Sequence, residues 1–206
     1  MNGRARPSGV TMRMLALVPW LLLVPGELAG QEGARDDGRL VVRRGDAVVG
    51  EEQFSVEVTR DADGATAINL LVSATYPPDG ARRAAATFGA RRITVRVSGG
   101  GTEVAREYPR GSRDLVFHEG LLGLLALAGE VEPGPVTLFL PPAPERRSGS
   151  LESLGEERLD PDGPLLRHVA LRGAGPTVDL WFDGRNRLVR VAIPDQGIVA
   201  DRTPRP

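Results

Sequence analysis

The two histidines, His118 and His168, are the first places to look for acid–base chemistry in this chain. Neither has a partner at motif spacing. Ser-His-Asp catalysis needs an activated serine, usually on a tight strand-to-helix elbow of the G-x-S-x-G kind. No such run is present, and Ser112 sits in Arg-Gly-Ser-Arg, without the second glycine. His168 falls mid-strand, opposite in phase to Val169 and Leu171, which predicts a solvent-facing ring. His118 borders an apolar stretch and is expected to cap or solvate it. Cysteine is absent, which excludes disulfides, thiol catalysis and thiolate metal sites. The expectation is a protein with no catalytic residue, and an enzyme ranks third among the readings below.

Metal and phosphate chemistry also lack their parts. Nothing matches H-x-x-x-H or H-E-x-x-H. Asp61-x-Asp63-Gly64 matches the opening of a calcium loop, but the glycine comes too early and no bidentate Glu follows, so a turn is expected. Asp160 and Asp162 flank a proline and form another turn. Gly99-Gly100-Gly101 lies between two strands, not between a strand and a helix, so it is no phosphate cradle. No metal and no cofactor is predicted. Arginine pairs at 43–44, 82–83, 91–92 and 146–147 are dispersed among acids and predict solvated strand edges. Lysine is absent and aromatic residues make up 4% of the chain, which leaves little for stacking on bases or sugars.

The elements that would position any site are mostly strands. Phe54, Val56 and Val58 alternate with Gln53, Ser55 and Glu57, so three apolar side chains share one face. A return strand is expected over 67–76. Ile93, Val95 and Val97 repeat the pattern, Gly99–Gly101 turns the chain, and 102–108 returns in the clearest hairpin of the sequence. Residues 81–90 are ambiguous, a loop or a short helical turn. Asp114 could cap a helix whose body contains Leu121, Leu122, Leu124, Leu125 and Leu127. That segment is apolar nearly all round, so it is either a core helix or a plug over an apolar cavity. Further strands are expected at 136–140, 153–159, 165–172, 177–182 and 188–193, with a loop over 141–150. Nine or ten strands with one helix predict a mainly β fold, a curved antiparallel sheet forming an incomplete barrel.

The N-terminus is built differently. Arg4, Arg6 and Arg13 precede an apolar run of eleven residues, Met14 to Val24, which Pro25 and Gly26 interrupt. That order is a secretory signal peptide. An uncleaved anchor is the alternative, but eleven residues are short for a bilayer. Cleavage is predicted after Gly30, and Met12 is an alternative start. Residues 1–30 are then a signal peptide, 31–38 a flexible tail and 39–203 one β-rich domain, located in the periplasm or secreted. No cysteine follows the leader to carry acyl chains, and nothing is expected to span the membrane after cleavage. Removing residues 1–30 takes three Arg and one Glu from 26 basic and 27 acidic residues, leaving about −3. That charge does not suit nucleic acid.

Three stretches carry a family resemblance: Val48-Val49-Gly50-Glu51-Glu52-Gln53-Phe54-Ser55-Val56, the Leu-rich middle, and Leu180-Trp181-Phe182-Asp183-Gly184-Arg185-Asn186-Arg187-Leu188-Val189, followed by Pro194 and Arg202. Over most of 39–203 the chain resembles exported bacterial families of unknown function near the LolA/LolB-like lipoprotein carriers. The resemblance implies an incomplete barrel whose open side holds acyl chains. The first expectation is thus a periplasmic, non-catalytic protein binding a lipid or other apolar ligand. Its cavity would be lined by Phe54, Val56, Val58, Ile93, Val95, Val97, Val189 and Val191, with Leu121 to Leu127 as plug. The second is a closed β domain acting by contact with an envelope protein partner.

Overall fold

The computed structural model describes residues 34–60, 64–173 and 175–203. The signal peptide expected over 1–30 and the turn expected at Asp61–Asp63 lie outside the described residues. The chain forms β1 (Ala34–Arg44), β2 (Ala47–Arg60), β3 (Thr66–Tyr76), β4 (Gly80–Phe88), β5 (Arg92–Gly99), β6 (Thr102–Pro109) and β7 (Asp114–Val116). A nine-residue 3-10 helix, Leu122–Glu130, follows. Then come β8 (Gly134–Phe139), β9 (Arg146–Glu157), β10 (Leu166–Arg172), β11 (Val178–Phe182), β12 (Leu188–Ile193) and β13 (Ile198–Arg202).

All thirteen strands belong to one sheet, in the order β6-β5-β4-β3-β2-β1-β13-β12-β11-β10-β9-β8-β7. Neighbours are antiparallel except β7 and β8, which run parallel. Two meanders therefore meet at the β1–β13 pair, where Leu40 faces Arg202 and Val42 faces Ala200. The end strands β6 and β7 do not pair with each other, so the curved sheet stays open. Side chains bridge the opening. The Tyr108 ring on β6 lies 4.3 Å from that of Phe139 on β8, and the Tyr108 hydroxyl donates to the Ala143 carbonyl at 3.0 Å.

Period-two alternation explains the two faces. Leu40, Phe54, Val56, Leu70, Val72, Ala84, Ile93, Val95, Leu180, Phe182 and Val191 turn inward and form one core with the leucines of the helix. The β5–β6 hairpin turns through Gly100 and Gly101, at φ of 59° and 79°, a left-handed pair that side chains resist.

Four expectations are corrected. Residues 81–90 are not loop or helix; β4 occupies Gly80–Phe88 and turns Ala84, Ala86 and Phe88 inward. Asp114 does not cap the helix; it opens β7, and its carboxylate accepts the Gly111 N–H. The loop expected over 141–150 ends early, because β9 starts at Arg146. The tail expected over 31–38 is strand from Ala34 onward, paired with β2. Arg202 pins that strand: its guanidinium donates to Asp36 Oδ1 at 2.6 Å and Oδ2 at 3.1 Å, and lies over the Phe54 ring.

Candidate functional site

The interior of the half-barrel, where a ligand cavity was expected, is occupied by the chain itself. Leu121, Leu122, Leu124, Leu125 and Leu127 are all buried there. Phe54, Val56, Ile93, Val95 and Val191 pack in the same cluster, and Val97 is partly buried against it. Val58 is half-buried. Val189 is placed differently: it packs with Leu166, Trp181 and Ala192 on the outer face. Burying a leucine contributes roughly 1.5–3 kcal/mol, so expelling this helix would cost on the order of 10 kcal/mol, as much as a whole domain's stability. The plug is therefore a core element.

Polar side chains from the sheet hold both ends of the plug. Glu52, on β2, is a fully buried acidic side chain. Its Oε1 accepts the Leu122 N–H at 2.9 Å and its Oε2 accepts the Gly123 N–H at 2.8 Å. The Tyr76 hydroxyl donates to the same carboxylate. The first N–H groups of a helix lack partners within it, and a carboxylate there satisfies them and complements the dipole. Burial pushes the Glu52 carboxyl above its ordinary range, against the pull of the three donors. Burial and the adjacent carboxylate keep the Tyr76 hydroxyl protonated. At the other end, Arg167 on β10 donates to the Gly129 carbonyl at 2.6 Å and covers the Phe182 ring. Runs of 3-10 helix longer than 3–4 residues are uncommon, and these two ties, with the enclosing core, account for this one.

His118 lies just before the plug, and its Nδ1 accepts the Gly120 N–H at 3.1 Å; that bond falls outside the helix, whose N-cap residue Leu121 has no side-chain cap, so His118 does not cap it. Burial and nearby Arg82 depress its pKa, which keeps that nitrogen free to accept. His168 is on the outer face but is not bathed in solvent. It stacks on Trp181 with centroids 4.3 Å apart, between Asp179 at 3.5 Å and Glu157 at 3.7 Å. Neither histidine has a serine at hydrogen-bonding distance among the bonds of the described residues. Among the described residues no cluster of three metal-ligating side chains occurs, and no helix is long and apolar enough to cross a membrane.

A hollow lies on the side that alternation assigns to water. A groove of about 780 Å³ crosses β1 to β6 on the outer face. Strand register gives its floor two rows. One runs Gln53, Ser73, Arg83, Ser98, Glu103; the other runs Ser55, Leu71, Ala85, Arg96. Leu71 is 50% exposed. Arg39, Arg202 and Asp37 border the β1 end. A groove of roughly 300–1,000 Å³ suits a small ligand. A second hollow of about 250 Å³ opens beside the C-terminal end of the plug, between Asp36, Glu130 and the 185–187 turn.

The fold and its hollows define an open β half-barrel with a filled interior and a groove outside. No family model matches the chain, and no curated protein matches it. Among solved structures it is similar to a β-barrel-like protein of a domain of unknown function, DUF1849, from Brucella abortus. That likeness has a TM-score of 0.40 at 9% identity, covering 82% of this chain and 94% of that one.

Proposed function

We propose that the chain is an exported, non-catalytic binding module whose ligand, a lipid or another small molecule with an apolar body, lies in the outer groove and not inside the half-barrel. One observation carries this reading. The interior is closed by its own leucines, while the 780 Å³ groove keeps Leu71 half-exposed on its floor. A large aliphatic side chain left open within a concave surface gains by being covered. The leader, with the resemblance to the LolA/LolB-like carriers, supports a periplasmic location.

Native mass spectrometry on protein purified from the periplasm, with dansyl-undecanoate titration of the same sample, tests the proposal. A bound small molecule, or saturable probe fluorescence that Leu71→Arg abolishes, is the expected result. Protein that carries no adduct and takes up no probe would overturn it. The second reading, a closed domain working by protein contact, draws on Leu154 and Leu165, which are 47% and 48% exposed beside the β9–β10 pair. It would show in the same spectra as a hetero-complex.

A further inference from the structure

The groove has a chemical polarity that its volume alone does not convey. Four arginines and two acids line it. Two of the arginines are committed elsewhere: Arg39 pairs with Glu51, and Arg202 pairs with Asp36 and donates to the Leu188 carbonyl. The other two, Arg83 and Arg96, are exposed and make no ion pair or side-chain hydrogen bond among the described residues.

Their placement is specific. Arg83 on β4 faces Ser98 on β5, while Arg96 on β5 faces Ala85 on β4. The two are thus diagonal neighbours on one sheet face, roughly 7–8 Å apart along the backbone and somewhat closer at Cβ. Guanidinium groups on such stems can converge on one anion. Ser73 and Ser98 flank Arg83 in direct register and offer hydroxyl donors. Glu103, next to Ser98, forms no ion pair with either arginine among the described residues. Two like charges left adjacent and unneutralised repel each other, and an anion between them relieves that repulsion. The neighbouring row continues from Arg96 through Ala85 to Leu71, an apolar strip leading away from the charges.

We infer that the groove binds a small anionic amphiphile, with its carboxylate or phosphate held between Arg83 and Arg96 and its apolar body laid over Ala85 and Leu71. This rests on the groove being the ligand site. It adds the headgroup class and the direction in which the ligand lies.

Competition against dansyl-undecanoate tests it, with decanoate, decyl phosphate, decanol and inorganic phosphate as competitors. Decanoate and decyl phosphate are expected to displace the probe about tenfold more strongly than decanol. Inorganic phosphate, lacking the apolar body, should displace little. Exposed charge contacts are individually weak, so Arg83→Ala and Arg96→Ala should each weaken the probe about threefold, and the pair about tenfold. The double variant changes only exposed side chains and should keep the wild-type melting temperature. Lys at both positions should recover part of the affinity, as a point charge still attracts the anion. Leu71→Ser should weaken acid and alcohol alike. Equal displacement by decanoate and decanol, with no effect of the double variant, would overturn the headgroup assignment and leave the groove as an apolar site. Inorganic phosphate competing as well as decyl phosphate would overturn the amphiphile. Failure of the wild type to bind any probe would remove the groove as a ligand site altogether.

Discussion

Glu52 is the side chain whose replacement should reveal most about how the fold is held. Its carboxylate receives three donors, Leu122 N–H, Gly123 N–H and Tyr76 O–H, in a place with no exposure to water. In Glu52→Gln the side chain keeps one oxygen and gains an amino group. Whichever way the amide turns, that group meets a backbone N–H, and one donor is stranded. A buried unsatisfied donor costs about 1–3 kcal/mol. Glu52→Ala strands all three and opens a void, so about 3–5 kcal/mol is expected, near the loss for breaking a buried ion pair. Urea unfolding with an unchanged m-value measures both. The pH dependence gives a second handle. The folded-state pKa of Glu52 is raised above 4.5, so the folded chain binds its proton at a higher pH than the unfolded chain. Its contribution to stability is then fully present below 4.5 and is lost as pH rises through the raised pKa. Gln cannot titrate, so the stability gap between wild type and Glu52→Gln should widen as pH falls from neutral towards 4.5. His118 acts in the opposite sense: its folded pKa is depressed, so its contribution is lost as pH falls below 6.5. Because His118 is common to both proteins, it cancels from the gap. A gap that narrows on acidification would show that the three donors outweigh burial. A Glu52→Gln protein as stable as wild type would refute the latch itself.

Two more substitutions test the same architecture. Arg167→Ala removes the bond to the Gly129 carbonyl and the cover over Phe182; a loss of about 1–2 kcal/mol is expected in the same urea assay, and no loss would mean that packing alone holds that end of the plug. Gly50→Ala would place a Cβ 2.3 Å from Tyr76 Cδ1 and 2.7 Å from the Thr75 carbonyl oxygen, and backbone cannot step aside. Overpacking of this kind costs about 1–3 kcal/mol, or roughly 2–12 °C in Tm for a domain of this size. A melting curve that overlays the wild type would show that the strand yields there.

Alternation made the fold class legible, and residue types decided where it failed. Ile93, Val95 and Val97 with three glycines after Ser98 specify the β5–β6 hairpin almost alone. β4 carries the same period in Ala84, Ala86 and Phe88, but alanine has little strand preference and the Arg82-Arg83 pair suggests a surface turn. β1 begins in Ala-Arg-Asp-Asp-Gly, whose strand state comes from pairing with β2 rather than from local propensity. β7 has three residues and a parallel partner reached only after the plug, a contact that no window of local sequence contains.

The plug and the groove were legible to different degrees, for one physical reason. Glu52 stands two residues before Phe54 and four before Val56, in the inward phase of the same strand. A carboxylate sent into a core must find donors there; alternation followed only from Gln53 onward misses Glu52, although the inward phase of the strand is the signal that could have found it. The outward phase gives no such constraint, because any side chain can face water. Arg83, Arg96 and Leu71 therefore look like ordinary surface in the sequence. They acquire meaning only when the register of β3, β4 and β5 sets them side by side. Inward positions are restricted by what they must bury, which is why they proved to be core. Outward positions are free to differ, and a site built on that face shows itself by the pairings it leaves unmade.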